Sequence, residues 1–494
     1  MGGARALGDI KTASASGTTK WWEPEQSEQP GGEARFAAEG KFDAIADVAS
    51  RTSRVDYQKN FAYPAPRTFT YSEVVTPQAG YVIGIDSNGR NAESLKANPP
   101  AHSMSGYRLA TTQREIARFS STGLVAAMLA NPDAVKPAAD VTVQGASLPA
   151  VQYHGLIVAF DPKTGLPERV RSLDYDNIWG DVNFDYVYSD WRDVGGIKVP
   201  MKRSYQLNGR TVQDMQLTDV RFNQPIDQAR LQIPASVLAN AAKPATGNVP
   251  YQWVIRRQYI GTYLDSDNVS YDTKAASPGL RLQQLAPGVF HLVGGSHNSL
   301  VVEMSDHLIV VDAPVSDAQS MWLLNATKSQ FSGKPIRWVV LTHHHMDHAG
   351  GVRGLLGDGA TLVVGQGNYK HFNDVLRAPT SRNPDIMKVM DLTRVPIMEV
   401  PQSHVMTDSK GRQVTVYAMD NPHAKGMLMA WVPDAKLGYV TDIWTPGPPL
   451  PAKPNPGLAA VVNTVKKAGI QPERFAGGHG SVDEYQKLEK LMGQ

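Results

Sequence analysis

The period at which apolar residues recur changes along this chain, and that change limits the fold more than any other feature. Between about Val141 and Phe222 the period is two, as in AVQYHGLIVAF (150–160) and VNFDYVYSDW (182–191), with turn signals at Pro162-Lys-Thr-Gly, Val194-Gly-Gly and Asn208-Gly. Consecutive antiparallel hairpins are expected there. After Pro278 short valine-rich runs, among them HLIVVDAP (307–314), RWVVL (337–341) and TLVVG (361–365), alternate with helix-length segments, which is the pattern of a layered α/β domain.

A chain of 494 residues is too long for one core of usual size, so two domains are expected. Residues 1–35, rich in Gly, Ser, Glu and Lys without apolar periodicity, suggest a poorly ordered arm. Residues 36–234 form an N-terminal α+β domain in this reading. Within it FDAIADVAS (42–50) has helical spacing, and 106–132 reads as a long helix or helix pair ended by Asn131-Pro132. With a helix on one face, the hairpins would make a curved, partly open antiparallel sheet, similar to the bacterial lipoprotein-carrier and lipid-binding half-barrels. The Ala/Pro-rich segment IPASVLANAAKPATGNVP (233–250) opens a linker over 235–278, and a second domain runs from 279 to 494.

Hydrophobic residues at 41%, charged residues at 19% and a net charge of +2 describe a globular protein with no electrostatic reason to bind nucleic acid. No apolar run reaches the roughly 18 to 20 residues of a membrane-spanning helix. The first residues lack the apolar core of a secretory signal, so the native signal is expected to be missing from a periplasmic protein, with a cytoplasmic home as the alternative. Zero cysteines remove disulfides, thiolate ligands and a cysteine nucleophile, so any metal must be held by His, Asp, Glu or water.

Directly after RWVVL, the stretch THHHMDH (342–348) places four histidines and an aspartate in six consecutive positions. His343 and His345, one residue apart on extended backbone, can point the same way and share one metal. Asp347 and His348 follow where the chain turns into a helix, on a different vector, and can serve a second. Downstream, His423 in DNPHAKGM, Asp442 in LGYVTDIW and His479 in FAGGHGS each sit at a strand end or glycine-rich loop. The plain alternative is a solvated polar turn with satisfied surface histidines.

With these downstream residues, THHHMDH resembles the metallo-β-lactamase superfamily, whose αββα sandwich would then occupy the C-terminal half. The resemblance implies two Zn²⁺ ions per chain: one held by His343, His345 and His423, the other by Asp347, His348 and His479, with Asp442 bridging. Asp312 in HLIVVDAP matches the family's first motif and implies outer support of the site. Asp347 would also orient a metal-bridging hydroxide, the nucleophile of a zinc-dependent hydrolase. The stretch GMLMAWVPDAKLGYVTD (426–442) is similar to a branch of hydrolases in which this domain follows a β-rich N-terminal region. His297, Lys425 and Trp444 are candidates to line a substrate pocket, although an exposed loop histidine, a solvated lysine and a core tryptophan are the ordinary readings. His345 stands where flavodiiron relatives carry a glutamate, which favours zinc over a redox centre.

Superfamily resemblance does not choose the substrate. A small molecule with an ester, lactone, amide or lactam, phosphoester or sulfoester bond is expected, and self-association into a homo-oligomer is a possible state. The competing reading is a ligand-binding or carrier protein whose metal domain is structural or inactive. A nuclease would need a basic patch that the sequence lacks.

Overall fold

The computed structural model describes residues 1–87, 100–247, 249, 251–261, 265, 280–294, 297–356, 359–383 and 391–493. Two compact units emerge. The first comprises Met1–Pro24, Ala34–Asp176 and Val182–Ser266, and the second Glu25–Glu33, Asn177–Asp181 and Asp267–Gln494.

The first unit is built on a 13-stranded sheet made of two meanders, six strands over residues 12–103 and seven over residues 135–222. They join where Thr12–Glu23 pairs antiparallel with both Arg35–Asp47 and Arg210–Phe222. The expected hairpins of 141–222 are present, and Asn208 (φ 47°) and Gly209 (φ 82°) adopt the left-handed backbone that a tight hairpin turn requires. The expected helix pair is Gly106–Phe119, capped by the Ser105 hydroxyl, and Ser121–Ala130.

Three expectations are corrected. Residues 12–23 are no arm but an interior strand, because its ladder groups are satisfied on both edges and Trp21 is buried. The stretch 42–50 belongs largely to the strand Arg35–Asp47, where pairing with Thr12–Glu23 and Thr52–Phe61 overrides its helical spacing. The expected linker contains the helix Tyr251–Ile260, which buries Trp253, Val254, Ile255 and Tyr259 within the first unit. Residues 266–278 of that segment lie outside the described residues.

The second unit contains two sheets. The seven-stranded sheet runs from Arg281–Ala286 to Ile397–Val400, with parallel pairing from Leu308–Val311 through Ile336–Val340 and Thr361–Gly365 to the last strand. The six-stranded sheet runs from Ser403–Thr407 to Val482–Glu484 and is antiparallel except where Leu437–Val440 meets Arg474–Gly477. Val302, Val311, Val340 and Val363 of the first sheet pack with Val414, Val416, Leu428 and Tyr439 of the second in one continuous core.

Helices cover the outer faces. Met427, Met429, Val440 and Phe475 pack against Pro456–Ala468 and Tyr485–Leu491. Asp317–Gln330 packs on Val352–Leu356, which touches the strand Ile336–Val340. This is the expected αββα layering. The central strands are apolar on both faces, which is why they read as valine runs without alternation.

Candidate metal centre

The strand Ile336–Val340 ends in the core, and the next residues leave the sheet as THHHMDH. His345 is extended (φ −64°, ψ 145°) and caps the short helix Met346–Ala349, so His343 and His345 precede the helix while Asp347 and His348 ride on it. The remaining candidates arrive from the other sheet. His423 lies between Gln413–Met419 and Met427–Val432, Asp442 just past Leu437–Val440, and His479 just past Arg474–Gly477. All seven predicted residues are thus delivered by the loops and the short helix that follow strands of the two sheets.

Joined by His297, they fall into two groups, within each of which the donor atoms lie within 4.8 Å of one another: His343, His345, His423 and Asp442, and His297, Asp347, His348 and His479. Asp442 faces both. Its Oδ2 lies 3.0 Å from His343 Nε2, 3.3 Å from His423 Nε2 and 3.1 Å from His348 Nε2, while Oδ1 accepts a 2.6 Å hydrogen bond from His479 Nε2. His343 Nε2 and Asp442 Oδ2 are both buried. Asp442 holds a left-handed backbone (φ 57°), uncommon for a non-glycine residue and concentrated at functional sites.

Outer contacts turn each ring. His348 Nδ1 donates to Asp312 Oδ2 (3.1 Å), which leaves Nε2 for the cluster. Asp312 also accepts from Thr342 N (2.8 Å) and Thr342 Oγ1 (3.0 Å), and the Tyr439 hydroxyl lies 3.3 Å away, so the predicted support role has a definite geometry. Asn421 Oδ1 accepts from the backbone N–H of His423 and of Ala424, fixing that loop. Asn298 Nδ2 donates to the carbonyls of Gly477 and Gly480 on either side of His479.

The segment Glu25–Glu33 supplies contacts that the sequence did not reveal. The Ser27 carbonyl accepts from His345 Nε2 and from His344 Nε2, both at 2.9 Å. A carbonyl only accepts, so His345 carries its proton on Nε2 and presents the Nδ1 lone pair, 3.0 Å from His423 Nε2. Gln26 Nε2 donates to Asp347 Oδ1 (2.8 Å), leaving Oδ2 toward His297 (3.3 Å) and His348 (3.7 Å). A glutamine and a backbone carbonyl more than 300 positions upstream carry no signal readable from one sequence.

The charge states of His343, His345, Asp347 and Asp442 suit cation binding. Burial, reinforced by neighbouring imidazoles, holds His345 well below the usual histidine range, and burial does the same to His343 more mildly. Both imidazoles are neutral at pH 7. Burial opposes ionisation of Asp442, but His348, His479 and His423 overturn it and hold the carboxyl well below its ordinary range. Asp347 is held low in the same way by His348 and His297 against burial. His348 is the exception: Asp442 and Asp347 push it up despite its burial, so its Nε2 must lose a proton before it can hold a cation.

Of the three candidate pocket residues, His297 is buried with its ring 4.5 Å from that of His479, so it joins the donor cluster itself; burial and His479 push it down to about 3. Trp444 is no pocket wall. It is 2% exposed and packs on Phe475 at 5.2 Å in the core beneath the helices. Lys425 is exposed and is held through its backbone, its N–H donating to the Glu28 carbonyl and its carbonyl accepting from Asn368 Nδ2, so no pocket role is supported. His344 is buried outside both groups, as expected of an interleaved residue.

The family model of the metallo-beta-lactamase superfamily matches residues 292–480, a span that contains all seven predicted residues and His297. No curated protein matches the sequence. Matching solved structures include the sec-alkylsulfatase Pisa1 from Pseudomonas sp. (16% identity, 43% of this chain and 40% of that chain, TM-score 0.33). Rubredoxin oxygen:oxidoreductase from Desulfovibrio gigas (16%, 43% and 61%, TM-score 0.34) and the metallo-β-lactamase FIM-1 from Pseudomonas aeruginosa (18%, 43% and 93%, TM-score 0.31) also match. The chain spans well under half of the alkylsulfatase and about three fifths of the oxidoreductase. Among the described residues no helix is long and apolar enough to cross a membrane. The family match, the αββα layering and the His/Asp cluster at the strand ends agree with one another: over residues 292–480 this chain is similar to the metallo-β-lactamase superfamily.

Proposed function

We propose that the C-terminal unit is a dinuclear, zinc-dependent hydrolase acting on a small molecule that carries an ester, lactone, amide or lactam, phosphoester or sulfoester bond. The observation that carries this reading is the placement of Asp442 with one carboxylate facing two donor groups at once. His343, His345 and His423 would hold one cation. Asp347, His348 and His479 would hold the other, with His297 beside them as a donor the sequence did not separate from pocket lining. Nitrogen and carboxylate donors without sulfur suit zinc.

When bound there, the cations supply Lewis-acid polarisation of the scissile group and acidify water to near neutrality. The chain's own residues set the geometry. Asp347, ionised and turned by Gln26 at Oδ1, orients the attacking water through Oδ2. Ser27 and Asp312 fix the orientations of His345 and His348, so His345 presents its Nδ1 lone pair inward and His348 turns Nε2 inward, to bind once that atom gives up its proton. No cysteine is available as a nucleophile, which agrees with attack by water.

The test is metal content and turnover of chromogenic esters, lactams, phosphodiesters and sulfate esters by zinc-loaded protein, before and after chelation, with His345→Ala and Asp442→Ala alongside. Two zincs per chain and activity lost on chelation and in both variants are expected. Turnover at the parental rate in either variant, or two bound zincs with no turnover on any substrate, overturns the hydrolase reading.

A further inference from the structure

The N-terminal unit encloses a cavity of about 220 Å³ between the sheet and the helices Gly106–Phe119 and Tyr251–Ile260. Its wall is mostly apolar and aromatic, with Trp21, Phe42 and Tyr57 from the sheet and Phe119 from the first helix. The polar groups on that wall are unusual in kind.

Arg203 is 4% exposed, and its Nε and Nη1 have no hydrogen-bond acceptor among the described residues. One face of its guanidinium lies over the Phe119 ring at 4.2 Å, but that contact uses the face of the cation and leaves the in-plane N–H groups unmatched. The Tyr259 hydroxyl and Thr112 Oγ1, on the two covering helices, are likewise buried without a partner. Lys59, 6% exposed, stands over the rings of Trp21 and Tyr57 at 4.6 Å each and forms no ion pair among the described residues. The carboxylates on the wall are engaged elsewhere: Glu73 by Arg108 (2.6 Å), and Glu115 by Arg114 and Arg118 (3.2 Å each).

Buried charges are normally paired, because an unpaired one loses its hydration without return. Here two cations and two hydroxyls converge on one apolar cavity, and each can donate a hydrogen bond. We propose that this cavity binds a small organic oxyanion, a carboxylate or sulfate ester on an apolar body, with the anion on Arg203 and the body among the aromatic rings. A 150 Å³ apolar cavity accepts benzene, so by proportion this one holds roughly nine non-hydrogen atoms. The residues that line the cavity all belong to the first unit.

Heptanoate, hexyl sulfate and the neutral analogue heptan-1-ol, titrated into the full-length protein with tryptophan fluorescence and calorimetry as readouts, test this. At least one of the two oxyanions binds one-to-one, at least tenfold tighter than heptan-1-ol, and which of them does so identifies the head group. The binding persists after chelation, which separates it from anion capture by metal. Arg203→Met weakens oxyanion binding at least tenfold, leaves heptan-1-ol unchanged and raises the Tm of the ligand-free protein, because an unmatched buried charge has been removed. Should that variant not fold, Lys59→Met is expected to weaken the oxyanion several-fold. No saturable binding of either oxyanion, equal affinity for heptan-1-ol, loss of binding on chelation, or parental affinity in the folded variants overturns the proposal.

Discussion

Replacing Asp312 by asparagine changes one atom and tests whether the outer contacts set the metal centre. Asp312 Oδ1 accepts from Thr342 N, and Oδ2 accepts from Thr342 Oγ1 and His348 Nδ1, at 2.8–3.1 Å. An amide retains only one acceptor oxygen. If its NH₂ replaces Oδ2, it faces His348 Nδ1 donor to donor, and the ring relieves the clash by moving its proton to Nε2, the atom that faces Asp442 and His479. If the NH₂ replaces Oδ1, it meets the buried Thr342 N–H and leaves a donor unsatisfied, at about 1–3 kcal/mol.

The first orientation costs metal affinity and the second costs stability. Loss of such a partner typically weakens metal binding about 10- to 100-fold, or about 1.4–2.8 kcal/mol. Competition with a chromogenic chelator, fitted for two successive zinc affinities, and urea unfolding of the metal-free protein separate the two outcomes. One zinc affinity is expected to fall by that factor, the one assigned to the His348 group, with the other changing far less. A folded Asp312→Asn protein with both affinities within twofold of the parent and unaltered stability would refute the reasoning.

Three further outcomes are expected. At Gly478, an added Cβ would sit 2.6 Å from Thr441 Oγ1 and 3.1 Å from His348 Cε1, so Gly478→Ala should lower stability by about 1–3 kcal/mol in urea titration and weaken zinc binding with it; parental values for both would show that the loop yields freely. Gln26→Leu removes the hydrogen bond that turns Asp347, and kcat/KM should fall about tenfold or more with zinc content unchanged, whereas an unchanged kcat/KM would end the positioning role of that segment. Burial brings Lys59 down from 10.5 to about 8, so between pH 8 and 10 the unfolded chain binds a proton that the folded chain does not. The Lys59 contribution to stability should therefore rise with pH across that window, by about 2 kcal/mol, against an opposing fall as unfolded tyrosines such as Tyr57 deprotonate. Lys59→Met should flatten the rise in urea unfolding of the chelated protein, and an identical pH slope in both proteins would exclude Lys59 as its source.

Much of the site was legible because its chemistry is concentrated. His343, His345, Asp347 and His348 occupy one short stretch after a buried strand, and His423, Asp442 and His479 follow at further strand ends, so residue type, order and context agree. The αββα layering was legible for a related reason: strands buried on both faces must be apolar throughout, and they announce themselves as valine runs. The first 35 residues were not legible. A strand such as TASASGTTKWWE (12–23) is stabilised by ladder partners at 35–47 and 210–222, and its own composition resembles a loop. FDAIADVAS likewise follows its neighbours in the sheet rather than its own spacing.

By itself, then, the sequence determined which side chains can hold metal and which strands must be buried, since both depend on local residue type and period. Only the tertiary structure decided that Ser27 and Gln26 turn His345 and Asp347, that His297 joins the donor cluster while Trp444 retreats into the core, and that Arg203 stands unmatched in an aromatic cavity. Those facts depend on contacts across up to hundreds of positions, where hydrogen-bond direction and burial are set by the fold and leave no periodic trace in the chain.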